Sequence, residues 1–401
     1  MIDLVKNLAA INRRTKGSVI RELLKLTNKP EMISFAGGLP DPEAFPTKEI
    51  AEVAQYVLQN NARAALQYGP TEGLSELKDE IVKMLKEDEG IEAKHENILI
   101  TTASQQALDI VGRAFIDPSD PILVGIPTYL AGLQVFKAYG AEAIGVGSDE
   151  EGIDTKKLEE KLKLLKGEEL HYKFIYLVPD FQNPTGTTIS EQRRKEIIRL
   201  SREYDVAIIE DSPYRHIRFE GKAPSMLYKL DDTNNVISLF TFSKTMAPGL
   251  RIGFILGHEK FIRRFTILKQ SLDLCSPSFS QLIIAEFMKR GYLKPHVAAV
   301  KVNYKAKKDL MLKTLAETMP AGVTWTKPEG GLFLWLSMPA HMDAQELFQK
   351  AIDKKVAYVI GSAFHCDNSG KNTMRLNFSY ATHEQIVTGI TRLAQVIREN
   401  M

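Results

Sequence analysis

The stretch Val236-Ile237-Ser238-Leu239-Phe240-Thr241-Phe242-Ser243-Lys244 places a lysine just after an apolar run. A short apolar run of this kind is typical of a buried strand in a parallel sheet. Such a strand would bring Lys244 to the carboxyl edge of the sheet, where open α/β sheets bind their ligands. A lysine amine attacks carbonyls only when it is unprotonated, and burial or a cationic neighbour favours that state. Lys244 is therefore a candidate Schiff-base residue, and the alternative is an ordinary solvated lysine.

Six further β-like runs accompany this one, and amphipathic helical segments alternate with them. The seven predicted strands span residues 97–101, 122–126, 143–146, 174–178, 206–210, 236–240 and 252–256. The predicted surface helices span residues 105–115, 130–138, 155–165 and 191–203. This alternation predicts an α/β fold with a mostly parallel seven-stranded sheet flanked by helices.

The last third of the chain has a different pattern, which predicts a smaller α+β domain. Its predicted elements are a helix at 304–317, strands at 332–336 and 374–378, and a closing helix at 383–398. We find no repeat or low-complexity linker between the two patterns. We therefore expect an N-terminal arm with part of the small domain at 1–47, a large domain at 48–290 and a C-terminal small domain at 291–401.

The composition argues against several classes of function. The 52 basic and 50 acidic residues leave a net charge of +2 without a block of like charges, which argues against a nucleic-acid partner. Without a secretory signal or a run of about eighteen apolar residues, we expect a cytoplasmic protein that does not bind a membrane. Cys275 and Cys366 are far apart in the chain, which predicts neither a disulfide framework nor a metal site.

Two polar segments follow predicted strands and supply candidate site residues. Asp211 comes directly after an apolar strand, where a carboxylate is costly unless it has a partner, such as a protonated pyridine nitrogen. The alternative is a helix cap or a turn before Pro213. Asn183 is able to donate to a ring hydroxyl, or it forms an ordinary Asn-Pro turn. Tyr214 would reach the same oxygen, or it packs as an amphipathic aromatic residue.

A phosphate site is predicted where a strand meets the helix at Gln105. Ser104 would both cap this helix and bind phosphate at its N-terminus, and a plain N-cap is the alternative. Arg251 offers a bidentate fork for phosphate oxygens, or it forms a surface salt bridge. Five such signals fall at the carboxyl ends of successive predicted strands, which favours one shared site.

At this point the sequence resembles the fold-type-I pyridoxal phosphate enzymes, specifically the class I/II aminotransferases of the aminoadipate/kynurenine type. The resemblance covers nearly the whole chain in the expected order. The matching stretches are Ser34-Phe35-Ala36-Gly37-Gly38-Leu39-Pro40, Gln67-Tyr68-Gly69-Pro70-Thr71-Glu72-Gly73, Asn183-Pro184-Thr185-Gly186, Asp211-Ser212-Pro213-Tyr214, and Ser243-Lys244 through Gly249-Leu250-Arg251-Ile252-Gly253.

The resemblance implies pyridoxal 5′-phosphate (PLP) as the cofactor. Lys244 would hold the cofactor covalently and shuttle a proton, and Asp211 would keep the pyridine nitrogen protonated. Asn183 and Tyr214 would contact the ring hydroxyl, and Tyr129 would stack on the ring. The residues implied around the phosphate are Ser104, Gln105, Thr241, Ser243 and Arg251, with threonine at 241 keeping the hydroxyl of the serine found in many relatives.

The resemblance also implies which residues contact the substrate and which residue reaches the partner subunit. Arg375 would pair with the substrate α-carboxylate through its planar fork. Without the resemblance, strand alternation makes Arg375 an exposed residue that points away from the core face. Asn183, Gly38 and Arg21 would also contact the substrate. Tyr68 would reach the phosphate of the neighbouring subunit, which implies a homodimer.

The implied reaction is a ping-pong transfer of the amino group of an L-amino acid to a 2-oxo acid such as 2-oxoglutarate. Aminoadipate, kynurenine, aromatic and branched-chain amino acids are the implied donors. A lyase or decarboxylase of the same fold is one alternative, because fold does not fix function. The other is a ligand-binding regulator of the kind fused to winged-helix domains. We expect no room for such a domain before Ile33, and the chain keeps Lys244, Asp211 and Arg375.

Overall fold

A computed structural model describes residues 4–15, 17, 31–168 and 171–401. We number the strands in this part of the chain β1 to β14 in chain order. They are β1 Ile33–Ser34, β2 Ile98–Thr101, β3 Pro121–Ile126, β4 Glu142–Asp149, β5 Gly152–Ile153, β6 Phe174–Leu177, β7 Ala207–Asp211, β8 Val236–Thr241, β9 Gly253–Leu256, β10 Thr324–Trp325, β11 Phe333–Ser337, β12 Val356–Ala357, β13 Val359–Ile360 and β14 Thr373–Asn377.

Eight of these strands form one sheet in the order β2-β9-β8-β7-β6-β3-β4-β5. The five strands from β8 to β4 in this order are mutually parallel. Strand β9 runs antiparallel to both of its neighbours. The α/β class and all seven predicted strands are confirmed. The eighth strand, β5, pairs with the end of β4 over two residues only, which is too short for a sequence pattern to indicate.

The sheet has apolar side chains on both faces, because alternate residues of each strand enter different cores. In β6, Phe174 and Tyr176 pack in the core that contains Phe136. Ile175 and Leu177 pack in the core on the other face. Helices cover both cores, so the loops at the strand ends are where polar side chains gather.

The helices agree with the predicted pattern, with some shifted ends. In the described residues the α-helices span Ala10–Arg14, Thr47–Asn60, Ala62–Leu66, Ser75–Met84, Ala103–Phe115, Leu130–Tyr139, Thr155–Gly167, Glu191–Glu203, Leu227–Leu230, Glu259–Gln270, Ser278–Lys289, Leu293–Thr318, Ala344–Asp353 and His383–Arg398. The helix predicted at 304–317 begins earlier, at Leu293. Pro295 lies in its first turn, where a helix tolerates proline.

A second, antiparallel sheet has the order β10-β11-β14-β13. Strand β1 pairs in parallel with β12, and the backbone N–H of Asn377 donates to the carbonyl oxygen of Phe35. The segment around residues 31–36 is therefore joined to the C-terminal part of the chain. The boundaries placed at 47/48 and 290/291 stay a prediction. None of the helices in the described residues combines the length and the apolar character needed to cross a membrane.

Candidate active site

Three of the predicted residues lie at one edge of the large sheet. Asp211 is the last residue of β7, Lys244 lies three residues beyond β8, and Asn183 lies in the loop after β6. These three strands are adjacent and parallel, so their carboxyl ends meet. Arg251 precedes β9, and because β9 is antiparallel to β8, it reaches the same edge. The sheet topology therefore brings all four residues to one region.

Lys244 is half-buried, and its Nζ donates a hydrogen bond to the carbonyl oxygen of Gly38 at 2.9 Å. Burial, followed by the positive charges of Arg375 and Arg251, lowers the pKa of Lys244 to about 8. An amine with this pKa is partly unprotonated at neutral pH, as nucleophilic attack requires. The alternative interpretation of Lys244, as an ordinary solvated lysine, does not match this environment.

Asp211 is only 1% exposed, and the Tyr176 hydroxyl donates to its Oδ2 at 2.8 Å. Its Oδ1 has no hydrogen-bond partner among the described residues. Burial raises the pKa of Asp211 to about 7, and the hydrogen bond from Tyr176 opposes that rise. A buried carboxylate oxygen without a partner costs free energy, so it indicates where a positively charged N–H group of a ligand would bind.

Asn183, Tyr214 and Arg375 form one hydrogen-bonded group. Arg375 Nη1 donates to Asn183 Oδ1 at 2.8 Å. The Asn183 amide nitrogen donates to the Tyr214 hydroxyl at 3.4 Å. Burial raises the pKa of Tyr214 well above its usual value, which keeps the hydroxyl protonated. Residues from three distant parts of the chain therefore meet in one hydrogen-bonded group.

Arg375 is 1% exposed, so the exposed position expected from strand alternation is wrong. Its guanidinium carbon lies 4.2 Å from the ring centre of Phe333 and 5.2 Å from that of Phe364. Its Nη2 donates to the carbonyl oxygen of Ala36 at 2.5 Å. The N-terminal segment and the two rings cover this face of β14. Burial lowers the pKa of Arg375 to about 10, because its hydrogen-bond partners in the described residues are neutral.

Hydroxyl groups line the turn between β8 and β9. The Thr241 and Ser243 hydroxyl oxygens lie 2.8 Å apart, and the Ser243 N–H donates to Thr241 Oγ1. Arg251 is exposed and donates to the carbonyl oxygen of Pro248 at 3.4 Å. No carboxylate of the described residues forms an ion pair with it, so the surface salt bridge is not seen. The turn combines hydroxyl donors with a guanidinium that has no acidic partner in the described part of the chain, and such a combination suits an anion.

The helix after β2 begins at Ala103, so the prediction that Ser104 caps it is wrong. Thr102 occupies the N-cap position, but its hydroxyl donates to Asp273 Oδ2 at 2.9 Å instead of capping the helix. Ser104 and Gln105 therefore lie within the first turn. The free N–H groups of that turn still suit an anion.

The other predicted contacts have different outcomes. Tyr129 is half-buried, and burial followed by the charge of Asp211 raises its pKa to about 12. Gly38 lies beside Phe333, and a Cβ at this position would lie 3.4 Å from the ring, which is an ordinary contact distance. Tyr68 is 79% exposed in the protomer. Arg21 lies outside the described residues.

Two side chains that hold residues of the site in place were not predicted from the sequence. Tyr176 holds Asp211, and Asp273 holds Thr102 at the start of the first helix after β2. The available signal was weak: Tyr176 is a polar residue in an otherwise apolar strand, where a buried hydroxyl needs a partner. Asp273 lies 171 residues from Thr102 in the chain, and no local pattern connects the two.

A cavity of about 900 Å³ adjoins the site and is lined in part by Ser212 and Thr245. Each of these residues follows a site residue in the chain. Lys244, Asp211 and Arg375 do not line this cavity. Cavity size alone therefore does not locate the chemistry, and the arrangement of buried polar groups does.

Comparisons with known proteins agree with this geometry. The family described as "Aminotransferase class I and II" matches residues 30–393. The chain is 47% identical to aromatic-amino-acid aminotransferase 1 of Thermococcus litoralis, over 96% of this chain and 93% of that protein. It is 38% identical to the 2-aminoadipate transaminase of Thermus thermophilus, over 96% and 95% of the two chains.

A solved structure gives the same result for the fold. The kynurenine aminotransferase of Pyrococcus horikoshii superposes with a TM-score of 0.96 at 43% identity, covering 100% of this chain and 98% of that one. The matched family spans most of the chain and includes every candidate residue described above except Arg21. The chain therefore belongs to the class I and II aminotransferases.

Proposed function

We propose that this protein is a PLP-dependent amino-acid aminotransferase that transfers the amino group of an L-amino acid to a 2-oxo acid by a ping-pong reaction. One observation supports this most strongly. Lys244, Asp211 and Arg375 are brought to one buried site, and each has a pKa shifted toward its neutral form. These are the groups that would meet an aldehyde, a pyridine nitrogen and a carboxylate.

The side chains at the site fit PLP. The unpartnered, buried Oδ1 of Asp211 suits a protonated ring nitrogen, and the Asn183 amide and Tyr214 hydroxyl suit the ring hydroxyl. The phosphate would lie among hydroxyls, helix N–H groups and a guanidinium from the residues Ser104, Gln105, Thr241, Ser243 and Arg251. When bound, PLP supplies an electron sink that stabilises negative charge at the substrate Cα.

Lys244 would supply the covalent attachment and the proton transfer. Its lowered pKa keeps part of the amine unprotonated at neutral pH, so its Nζ is able to accept a proton. The nearby positive charges of Arg375 and Arg251 favour that neutral form. The carbonyl oxygen of Gly38 orients Nζ through the hydrogen bond at 2.9 Å.

Arg375 would bind the substrate α-carboxylate. Its guanidinium is already oriented by Asn183, Ala36 and the ring of Phe333. A buried guanidinium without an acidic partner in the described residues gains most from a carboxylate ligand. Gly38 leaves room beside Phe333 for that ligand, and Arg21 is proposed as a further substrate contact.

For the substrate, we propose donors of the aminoadipate, kynurenine, aromatic or branched-chain type with 2-oxoglutarate as the shared acceptor. Two relatives named above are an aromatic-amino-acid aminotransferase and a 2-aminoadipate transaminase. A panel of these donors against 2-oxoglutarate and pyruvate would rank them by kcat/KM. A lyase or decarboxylase has no observation in its favour.

We also propose a homodimer in the cytoplasm, with Tyr68 reaching the phosphate in the partner subunit. Tyr68 is 79% and Leu66 73% exposed in the protomer, so two large side chains that are two residues apart in the chain are both exposed. Exposed apolar side chains in one place are typical of protein interfaces. Sedimentation of wild-type protein and Leu66→Asp would test this; the variant should be monomeric, and a monomeric wild type would contradict the dimer.

A single-turnover experiment tests the reaction type. The PLP-loaded protein is mixed with L-glutamate in the absence of an acceptor, and released products are measured. Transamination predicts one equivalent of 2-oxoglutarate per site and conversion of the bound cofactor to its amine form. Release of carbon dioxide, or of a cleaved side chain, without that conversion would contradict the proposal.

A further inference from the structure

We infer that Tyr176 is a positioning residue for the cofactor: its hydroxyl fixes one oxygen of Asp211 and leaves the other available to the ring nitrogen. This inference rests on the proposed function, in which Asp211 pairs with that nitrogen. The Tyr176 hydroxyl donates to Oδ2 at 2.8 Å, and Oδ1 has no partner among the described residues. The two oxygens of one carboxylate are therefore distinguished by the protein itself.

The sheet register explains why these two side chains meet. In the parallel pairing of β6 with β7, Tyr176 lies opposite Ile209, and Asp211 lies two residues further along β7. Residues two apart on a strand share a face, and a long aromatic side chain reaches the diagonal neighbour on the next strand. The contact therefore follows from the position of Tyr176 in β6.

Packing holds the hydroxyl of Tyr176 in this direction. The tyrosine is fully buried, and the ring of Phe136 packs edge-on against it with centres 5.3 Å apart. Gly132 lies beside the phenol: a Cβ at this position would be 3.0 Å from the hydroxyl oxygen. Glycine within a helix makes that helix less stable than alanine would. At Gly132 it leaves the space that the hydroxyl occupies.

The hydrogen bond also affects the charge of Asp211. A donor to the charged form of a carboxylate favours that form, whereas burial disfavours it. Tyr176 opposes the effect of burial on Asp211, and no lysine or arginine of the described residues forms an ion pair with this carboxylate. Tyr129 and Tyr214 are the other titratable groups that sense its charge. Without Tyr176, Asp211 would therefore be a weaker partner for a protonated ring nitrogen.

The competing explanation is that Tyr176 only fills the core. Tyr176→Phe keeps the ring and removes the hydroxyl, so it separates the two explanations. Tyr358→Phe is the matched control, because Tyr358 is equally buried and its hydroxyl donates to the carbonyl oxygen of Ala344 at 2.6 Å, outside the site. Both variants lose one buried hydrogen bond.

The experiment titrates cofactor-free protein with PLP and records the visible spectrum of the bound cofactor. We expect Tyr176→Phe to raise the PLP dissociation constant about tenfold, as for loss of a hydrogen bond to a charged group, and to change the spectrum. Tyr358→Phe should leave both unchanged. Gly132→Ala, which displaces the hydroxyl but keeps it, should weaken binding in the same direction. Equal PLP affinity of wild type and Tyr176→Phe would overturn the inference.

A double-mutant cycle separates this inference from the proposed function. Asp211→Asn should weaken PLP binding, and adding Tyr176→Phe to it should weaken binding no further, because Tyr176 acts through the carboxylate. If the effects of the two substitutions on PLP binding are fully additive, the role of Tyr176 is overturned, but the role of Asp211 is not. If Asp211→Asn binds PLP as tightly as wild type, the proposed role of Asp211 fails and the role of Tyr176 fails with it.

Discussion

Two buried aspartates lie at the same edge of the large sheet, and their surroundings differ. Asp180, after β6, accepts hydrogen bonds from Arg194 at 2.8 Å and from Arg215 at 3.0 Å. Asp211, at the end of β7, is as deeply buried but, among the described residues, accepts a hydrogen bond only from Tyr176. Burial alone would raise the pKa of Asp180, but the two guanidinium groups hold it below its usual value. For Asp211, burial raises the pKa to about 7.

The arginines of the two regions differ in the same way. Arg215 pairs with Glu89 and Asp180, and although burial lowers its pKa, these acids raise it above its usual value. Arg375 has only neutral acceptors in the described residues, and burial lowers its pKa to about 10. The cluster of Asp180 and Arg215 balances its own charge and so stabilises the fold. In the site, Asp211 and Arg375 have no oppositely charged partner among the described residues, so a bound ligand would balance their charges.

Replacing the reactive lysine of the site should have the strongest consequence for activity. Lys244→Ala should lower kcat by about 10⁴-fold or more, because the variant loses a general acid–base that contributes up to about 10⁴ together with the covalent attachment. The measurement is the rate of 2-oxo acid formation, with thermal unfolding as a check on folding. Activity within about tenfold of wild type would contradict the role of Lys244.

The two aspartates should differ in what they contribute to the stability of the protein. Asp180→Asn should destabilise the cofactor-free protein by about 3–5 kcal/mol, because it leaves buried guanidinium groups without their partner. Asp211→Asn should not destabilise the protein at neutral pH, since it removes a buried carboxyl group whose charged form is disfavoured by burial. Chemical unfolding of both variants measures the difference. Equal losses would show that the two aspartates have the same structural role.

Arg375→Lys should have a smaller effect, confined to the substrate. Lysine keeps the charge but loses the planar fork and the stacking on Phe333 and Phe364. We expect kcat/KM for the amino donor to fall by about 10- to 100-fold, in the range of a charge-assisted hydrogen bond. PLP affinity of the same variant is the control. A donor kcat/KM equal to wild type would place the carboxylate elsewhere.

The smallest effect is a pH dependence of stability with opposite sign at the two aspartates. The folded pKa of Asp211 lies above its unfolded value of 3.8. Its contribution to the free energy of unfolding is therefore present at low pH and is lost as pH rises toward about 7. The folded pKa of Asp180 is lowered below its unfolded value, so its contribution to the free energy of unfolding is present at neutral pH and is lost only as the solution becomes strongly acidic. In the cofactor-free protein, Asp211→Asn should remove the decline in unfolding temperature between pH 4 and 7 that Asp180→Asn retains. Identical profiles would contradict the assignment.

The sequence predicted the regions of the fold that depend on local patterns. The β-strand run before Lys244 and the polar residue after each strand indicated the sheet edge and most of the site. Local patterns do not predict contacts between distant segments. Arg375 donates to Asn183 across 192 residues of chain, and the burial of Arg375 depends on the N-terminal segment that covers β14. Tyr176 was missed for the same reason, because its partner Asp211 lies on the neighbouring strand.

Incompletely paired charged groups surround Lys244, and we propose that they form the PLP site. The most direct test is borohydride reduction of the PLP-loaded protein, which makes the lysine–cofactor linkage permanent, followed by peptide mass spectrometry. We expect the reduced cofactor on the peptide that contains Lys244. Attachment at any other lysine, with Lys244 unmodified, would contradict it.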